Sequence, residues 1–238
     1  MTDTQPVPDS PRLRPVRSFV RREGRVTAAQ KQALEVLWPR YGFTPGLDNG
    51  ETLDLPLLFG RKAPVVLEIG YGDGEALVAA ALRHPEQNFI GAEVYRAGIG
   101  HCLMRIEQEG LNNVRLCQVD ALELLKYALE DACLQEIRLF FPDPWPKKKH
   151  HKRRIVNQEF TRLISRKLCM GGQIHFATDW APYAEWALEA FEACPELDNI
   201  GGSGKFLSRP ESRIETKFER RGARLGQPSR DLIYRRIA

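Results

Sequence analysis

The chain has 238 residues and a net charge of +4, with 42% hydrophobic and 28% charged residues, the balance expected of a soluble globular enzyme with a real core. No run of about 18 apolar residues is present, which excludes a membrane-spanning helix, and the proline- and arginine-bearing N-terminus lacks the apolar segment of a secretory signal. The five cysteines (Cys102, Cys117, Cys133, Cys169, Cys194) are odd in number and show no CxxC spacing. That excludes a disulfide framework and a zinc site and fits buried thiols in a reducing cytoplasm.

The modest net charge hides a polarised distribution. Residues 1–26 hold six arginines against three acids, residues 147–154 hold six Lys and Arg with no acid, and ten Lys and Arg stand against four acids from Lys205 onward. The remainder of the chain is therefore strongly acidic. One basic run reads as a solvated face, but three on an acidic body point to a surface for a polyanion.

In chain order, residues 1–26 read as a flexible basic tail, with prolines at 6, 8, 11 and 15 opposing regular structure. Residues 27–238 read as one domain. Thr27 is a candidate N-cap for a helix ending before Pro39, and a loop rich in Gly, Pro and Asn leads to the strand VVLEI at 65–69. A helix face with Leu77, Ala80 and Ala81 follows, then the strand NFIGAEV and a helix with Ile99, Cys102, Leu103 and Ile106 at i, i+3, i+4, i+7. NVRLCQV is a third strand, with a short helix through Leu125 after it. EIRLFF is a fourth, followed beyond a basic block by a helix with Val156, Phe160, Leu163 and Ile164 on one side. GQIHFAT is a fifth, before a helix marked by Tyr183, Trp186, Ala187, Ala190 and Phe191. Repeated βα units of this kind predict an α/β fold with a doubly wound, mostly parallel sheet.

Ligands of such sheets bind beyond the carboxyl ends of the strands. The first strand ends in EIGYGDGEA, with glycines at 70, 72 and 74 that let the backbone turn and approach a ligand. Glu75 stands where a dinucleotide fingerprint needs its third glycine, and GGSGKF has Phe206 where a phosphate loop needs Ser or Thr. Acids end three successive strands: Glu68, Glu93 and Asp120. Glu68 suits the cationic amino or sulfonium end of S-adenosyl-L-methionine, Glu93 the ribose hydroxyls, and Asp120 an adenine amino group. Each acid alone could be a helix cap or a loop charge, but together they point to an adenosyl ligand without phosphates.

The stretches LEIGYGDG, FIGAEVYRAGI, FPDPWPKKKHHKRR, HFATDW and TKFERRG resemble those of the bacterial tRNA (guanine-N7)-methyltransferases, over nearly the whole chain beyond the tail. The resemblance implies a Rossmann-like, seven-stranded fold with an antiparallel last strand, S-adenosyl-L-methionine as cofactor (S-adenosyl-L-homocysteine as product), no metal, and a guanosine in the tRNA variable loop as target. It implies cofactor contacts from Glu68, Gly70, Gly72, Glu93, Asp120 and Asp143. Substrate contacts would come from Lys147, Asp179, Thr216, Lys217, Phe218 and Glu219, and RNA contacts from Lys149, His150, His151, Lys152, Arg153 and Arg154. It also implies a cytoplasmic location and tRNA as partner, with no membrane and no obligatory protein partner, as a monomer or a homodimer.

The residues of the fourth strand's end suit the chemistry that the resemblance implies. Guanine N7 has a lone pair and no proton to lose, so alkylation there needs alignment more than a base, and the product ring is cationic. Asp143, fixed between Pro142 and Pro144, suits orientation and charge stabilisation. Trp145 offers a stacking face or is a plain core aromatic, and Asp179 is either a substrate contact or the N-cap of the next helix. Ser212 and Glu215 have capping-box spacing for a helix ending at Gly222, which would bring Lys217 near Arg220 or Arg221. An RNA-binding protein that had lost catalysis is the rival reading. A small-molecule methyltransferase leaves the basic zones unexplained.

Overall fold

The computed structural model describes residues 18–19, 25–48, 50–216, 219–220, 222 and 226–238. The expected tail falls almost wholly outside them, as do Lys217, Phe218 and Arg221. Seven strands form one sheet: β1 Val65–Ile69, β2 Asn88–Ala92, β3 Val114–Cys117, β4 Leu134–Phe140, β5 Leu168–Thr178, β6 Leu197–Asn199 and β7 Arg230–Arg236. Their order is β3-β2-β1-β4-β5-β7-β6. The first five are parallel, and β7 runs antiparallel to β5 and β6. The order reverses between β1 and β4, and the crevice of such a sheet opens there.

The helices are α1 Ala28–Val36, α2 Trp38–Tyr41, α3 Leu55–Phe59, α4 Glu75–Arg83, α5 Arg96–Gln108, α6 Ala121–Glu123, α7 Gln158–Lys167 and α8 Ala181–Glu192. Thr27 caps α1 in a full capping box with Gln30. The loop expected before β1 contains α3, whose cap is Asp54. The short helix after β3 continues as one π-helical turn, Leu124–Ala128. The basic block forms a 3-10 helix, Lys148–Arg153.

β1 and β2 are buried along their whole length, as central parallel strands covered on both faces must be. One face packs Leu67, Ile69 and Ile90 with Phe160, Phe176, Tyr183 and Phe191, under α7 and α8. The other packs Val66 and Phe89 with Leu77, Ile99, Leu103 and Ile106, under α4 and α5. That second face turns polar towards β7. Glu68, Arg138 and His175 are neighbours in register on β1, β4 and β5, and buried Asp231 lies alongside on β7. Ser212, Arg213 and Ile214 border this polar area.

Three expectations are corrected here. The helix near the C-terminus does not start at Ser212: residues 214–216 have no regular structure, and Thr216 Oγ1 accepts from the Glu219 N–H three residues further on. Arg213 is drawn instead into a buried ion cluster, which holds the chain before Thr216 out of a helix. Asp179 is not the N-cap of α8, a position that Trp180 occupies without a side-chain bond. Cys133 and Cys169 are half-buried rather than buried, while the other three cysteines are buried.

Candidate active site

The carboxyl ends of β1, β2, β3 and β4 converge on a cleft of about 230 Å³ lined by Gly70, Glu93, Asp120, Phe140, Phe141 and Asp143, among others. A second cavity of about 180 Å³ shares Gly70, Phe140 and Phe141, and adds Glu68, Gly72 and Thr216. The glycine loop divides the two. Gly70 and Gly72 have φ of 68° and 59°, and a Cβ on either would meet nothing within 4 Å. The loop therefore presents bare backbone to open space. Gly74 serves packing instead, since its Cβ would lie 2.4 Å from Cys102 Sγ on α5.

Glu68 is 2% exposed, and its Oε2 has no hydrogen-bond partner. Burial pushes its carboxyl up to about 7, with Arg138 pulling against that. The Arg138 guanidinium is committed to Glu136, at 2.7 and 2.9 Å. Glu68 is thus a buried carboxyl beside a cavity, held towards its neutral form until a cation joins it. Glu93 is held differently. Its Oε2 accepts from Gly72 N–H at 3.0 Å, and its Oε1 accepts from Val94 and Tyr95 N–H at 2.7 and 3.0 Å. Burial raises its carboxyl even against these three bonds. Asp120 caps α6 through Leu122 N–H at 3.0 Å while lining the cleft, so a capping role and a cleft position coexist in one side chain.

Asp143 is exposed at the rim. The backbone either side of it is strained, with Phe141 at φ 50° and Trp145 at φ 45°. Left-handed conformations at bulky residues cost on the order of 1–3 kcal/mol each and persist only where the surroundings enforce them. The prolines alone do not aim this carboxylate; two left-handed aromatics turn the chain around it, a feature with no signature in residue type.

Trp145 is clamped by the basic block. Arg153 lies over the Trp145 ring at 4.8 Å, and His150 meets its edge at 5.8 Å. The Trp145 indole N–H donates to the Ser18 carbonyl at 3.1 Å, and Ser18 and Phe19 line the same cleft. Arg154 requires correction as an RNA contact. It is 3% exposed, donates to the Pro144 carbonyl at 2.9 Å, and packs over Tyr183 and Trp186 at 5.0 and 5.1 Å. Burial against two rings makes it a bolt between α8 and the Asp143 turn. His151 packs edge-on to Trp186, whereas Lys147, Lys149 and Lys152 are exposed.

Of the expected substrate residues, Thr216 lines the second cavity. Asp179 adjoins Gly222, where a Cβ would lie 2.8 Å from its Oδ2. Glu219 is buried and engaged by both terminal nitrogens of Arg213 at 2.7 and 3.0 Å, so its carboxylate braces the segment. Lys217 and Phe218 lie outside the described residues. Among the described residues, no group of three or more His, Cys, Asp or Glu is placed to hold a metal.

The fold resembles solved structures at low sequence identity. A 16S rRNA methyltransferase, KamB, superposes with a TM-score of 0.59 at 17% identity, covering 79% of this chain and 95% of that one. The aminoglycoside resistance methyltransferase NpmB1 gives 0.54 at 18%, covering 77% and 92%. Fold and cleft thus define an α/β protein whose seven-stranded sheet is that of these structures. Residues 62–232 match a family described as putative methyltransferase. Proteins named tRNA (guanine-N(7)-)-methyltransferase from Alkalilimnicola ehrlichii and Halorhodospira halophila are 52% and 51% identical, covering 94% and 93% of this chain and 93% and 95% of their own lengths. The namesake from Methylococcus capsulatus is 51% identical over 99% of this chain and 100% of itself. The chain belongs to the tRNA (guanine-N(7)-)-methyltransferase family.

Proposed function

We propose that this protein methylates N7 of a guanosine in the tRNA variable loop, using S-adenosyl-L-methionine, in the cytoplasm. The observation that carries the reading is the adjacency of the Asp143 turn to both the glycine-loop cleft and an exposed row of lysines. The residues fit the cofactor. Bare backbone at Gly70 and Gly72 allows close approach, the unpartnered Glu68 Oε2 suits an ammonium group, and Glu93 and Asp120 sit on the cleft wall where hydroxyls and an amino group would be received. When bound, that cofactor supplies an electrophilic methyl group on a sulfonium.

Everything else falls to the chain's own residues. Guanine N7 needs alignment and no deprotonation, so the rigid turn at Asp143 holds the base edge and offsets the positive charge that develops on the ring. Lys147, Lys149 and Lys152 hold flanking phosphates, a sequence-independent grip. Arg153, stacked on Trp145, couples that grip to the turn. Thr216 borders the second cavity from the C-terminal segment, and Asp179, just past the end of β5, is assigned to the substrate by the family resemblance. Incubation with methyl-labelled cofactor and an unmodified tRNA transcript tests the reading. Label is expected in the tRNA, and a protein that binds S-adenosyl-L-homocysteine yet labels no tRNA would overturn it.

A further inference from the structure

Arg213 belongs to none of the groups assigned above, yet it is among the most committed side chains in the molecule. Its side chain is 1% exposed. Nε and Nη2 donate to the two Asp231 oxygens at 2.6 and 2.9 Å, and Nη1 and Nη2 donate to the two Glu219 oxygens at 2.7 and 3.0 Å. Nη2 also donates to Ser229 Oγ, whose own hydroxyl donates to Glu219 at 2.7 Å. His175 on β5 meets Asp231 at 2.7 Å and closes the cluster against the sheet.

The guanidinium has a second use. It lies 5.8 Å over the Phe140 ring and 5.4 Å over the Phe141 ring, and Phe141 opens the strained turn that carries Asp143. Phe140 in turn packs edge-on to His175 at 4.9 Å. One buried cation therefore touches three parts at once: the antiparallel strand β7, Glu219, whose N–H is held by the cavity-lining Thr216, and the aromatic base of the Asp143 turn. A forked planar cation can satisfy two carboxylates and still present a face to rings; an ammonium cannot.

We propose that Arg213 is the positioning residue of the methyl-transfer site, fixing the Asp143 turn relative to Glu219 and, through it, Thr216. Asp231 and His175 form the abutment on the sheet, and Glu219 transmits the constraint to Thr216. Of the polar face near β7, Asp231 and His175 seat this one side chain. A buried ion cluster defines a single seating where an apolar face would tolerate several.

The inference rests on the methyl-transfer reading, and the test separates the two. Wild type and Arg213→Lys are compared in single-turnover methyl transfer to tRNA, with tRNA affinity, S-adenosyl-L-homocysteine affinity and thermal melts alongside. Lysine keeps the charge but loses the fork and the stacking on the rings. The transfer rate of the folded variant is expected to fall roughly 10–100-fold, the scale of a misplacement of about an ångström, with both affinities held within about threefold. A wild type that transfers nothing sinks the methyl-transfer reading. A wild type that transfers, with a folded variant of equal rate or one whose loss lies in tRNA affinity, overturns the role of Arg213 alone. If Arg213→Lys does not fold, Asp231→Asn releases the guanidinium from the sheet side at a position remote from the cleft, and the same rate-only loss is expected. An unchanged rate there, or failure of both variants to fold, assigns the cluster to stability and overturns the proposal.

Discussion

Asp143 and Glu68 are both carboxylates at strand ends, yet their surroundings give them opposite tasks. Asp143 is exposed on a strained turn, and in the proposed reaction it acts by direction and charge. Asp143→Asn, which keeps the shape and removes the charge, is expected to slow single-turnover transfer by about 10²–10³-fold, the range for removing one preorganised electrostatic interaction. tRNA affinity in a filter-binding assay is expected to stay near that of the wild type. Glu68 is buried, and its carboxyl is raised to about 7 by desolvation, with Arg138 opposing and Glu136 reinforcing the rise. The folded state therefore holds a proton that the unfolded state releases at lower pH, so this group's contribution to stability falls as pH rises from about 4.5 to about 7. Glu68→Gln removes that dependence. Its melting temperature is expected to exceed the wild type's at pH 8 and to match it near pH 4.5. A cationic ligand beside Glu68 favours the charged form, so calorimetry near pH 7 is expected to show protons released on cofactor binding, and none in Glu68→Gln.

At the scale of elements, the basic block divides into side chains that hold the protein and side chains free to hold a polyanion. Arg154→Ala leaves two rings and the Pro144 carbonyl without their cation and is expected to cost about 2–3 kcal/mol, a drop of roughly 5–10 °C in melting temperature. The paired Lys149→Ala and Lys152→Ala changes alter exposed residues and are expected to leave melting unchanged. They should instead flatten the salt dependence of tRNA binding, by roughly 0.7–0.9 in log–log slope for each phosphate that the protein no longer neutralises. From the sequence the eight residues 147–154 read as one stripe, because charge type is visible there and burial is not. Hydrophobic runs made β1 to β5 legible, and Thr27 was legible as a cap because capping is local chemistry. β6, only Leu197–Asn199, and β7, whose three apolar residues Leu232, Ile233 and Tyr234 stand between charged pairs, were not legible in the residues. Their antiparallel pairing is a long-range fact that came only with the family resemblance.

At the scale of the whole molecule, the sheet order places four acid-bearing strand ends side by side, and the acids of the cleft were legible because that geometry is common to doubly wound sheets. The left-handed aromatics beside Asp143, the docking of Arg154 and the Arg213 cluster were not legible, since each depends on partners far along the chain or on backbone torsion. In the proposed reaction, the strained turn at Asp143 and the exposed Lys147, Lys149 and Lys152 beside it act as centre and approach. The measurement that bears most directly on this is mass spectrometry of nuclease digests from an unmodified tRNA transcript incubated with the protein and S-adenosyl-L-methionine. A single 7-methylguanosine in the variable loop, formed about 10²–10³-fold more slowly under single-turnover conditions when Asp143 is replaced by Asn, is the expected result. Methylation at another atom or base, or an undiminished product with Asp143→Asn, would contradict it.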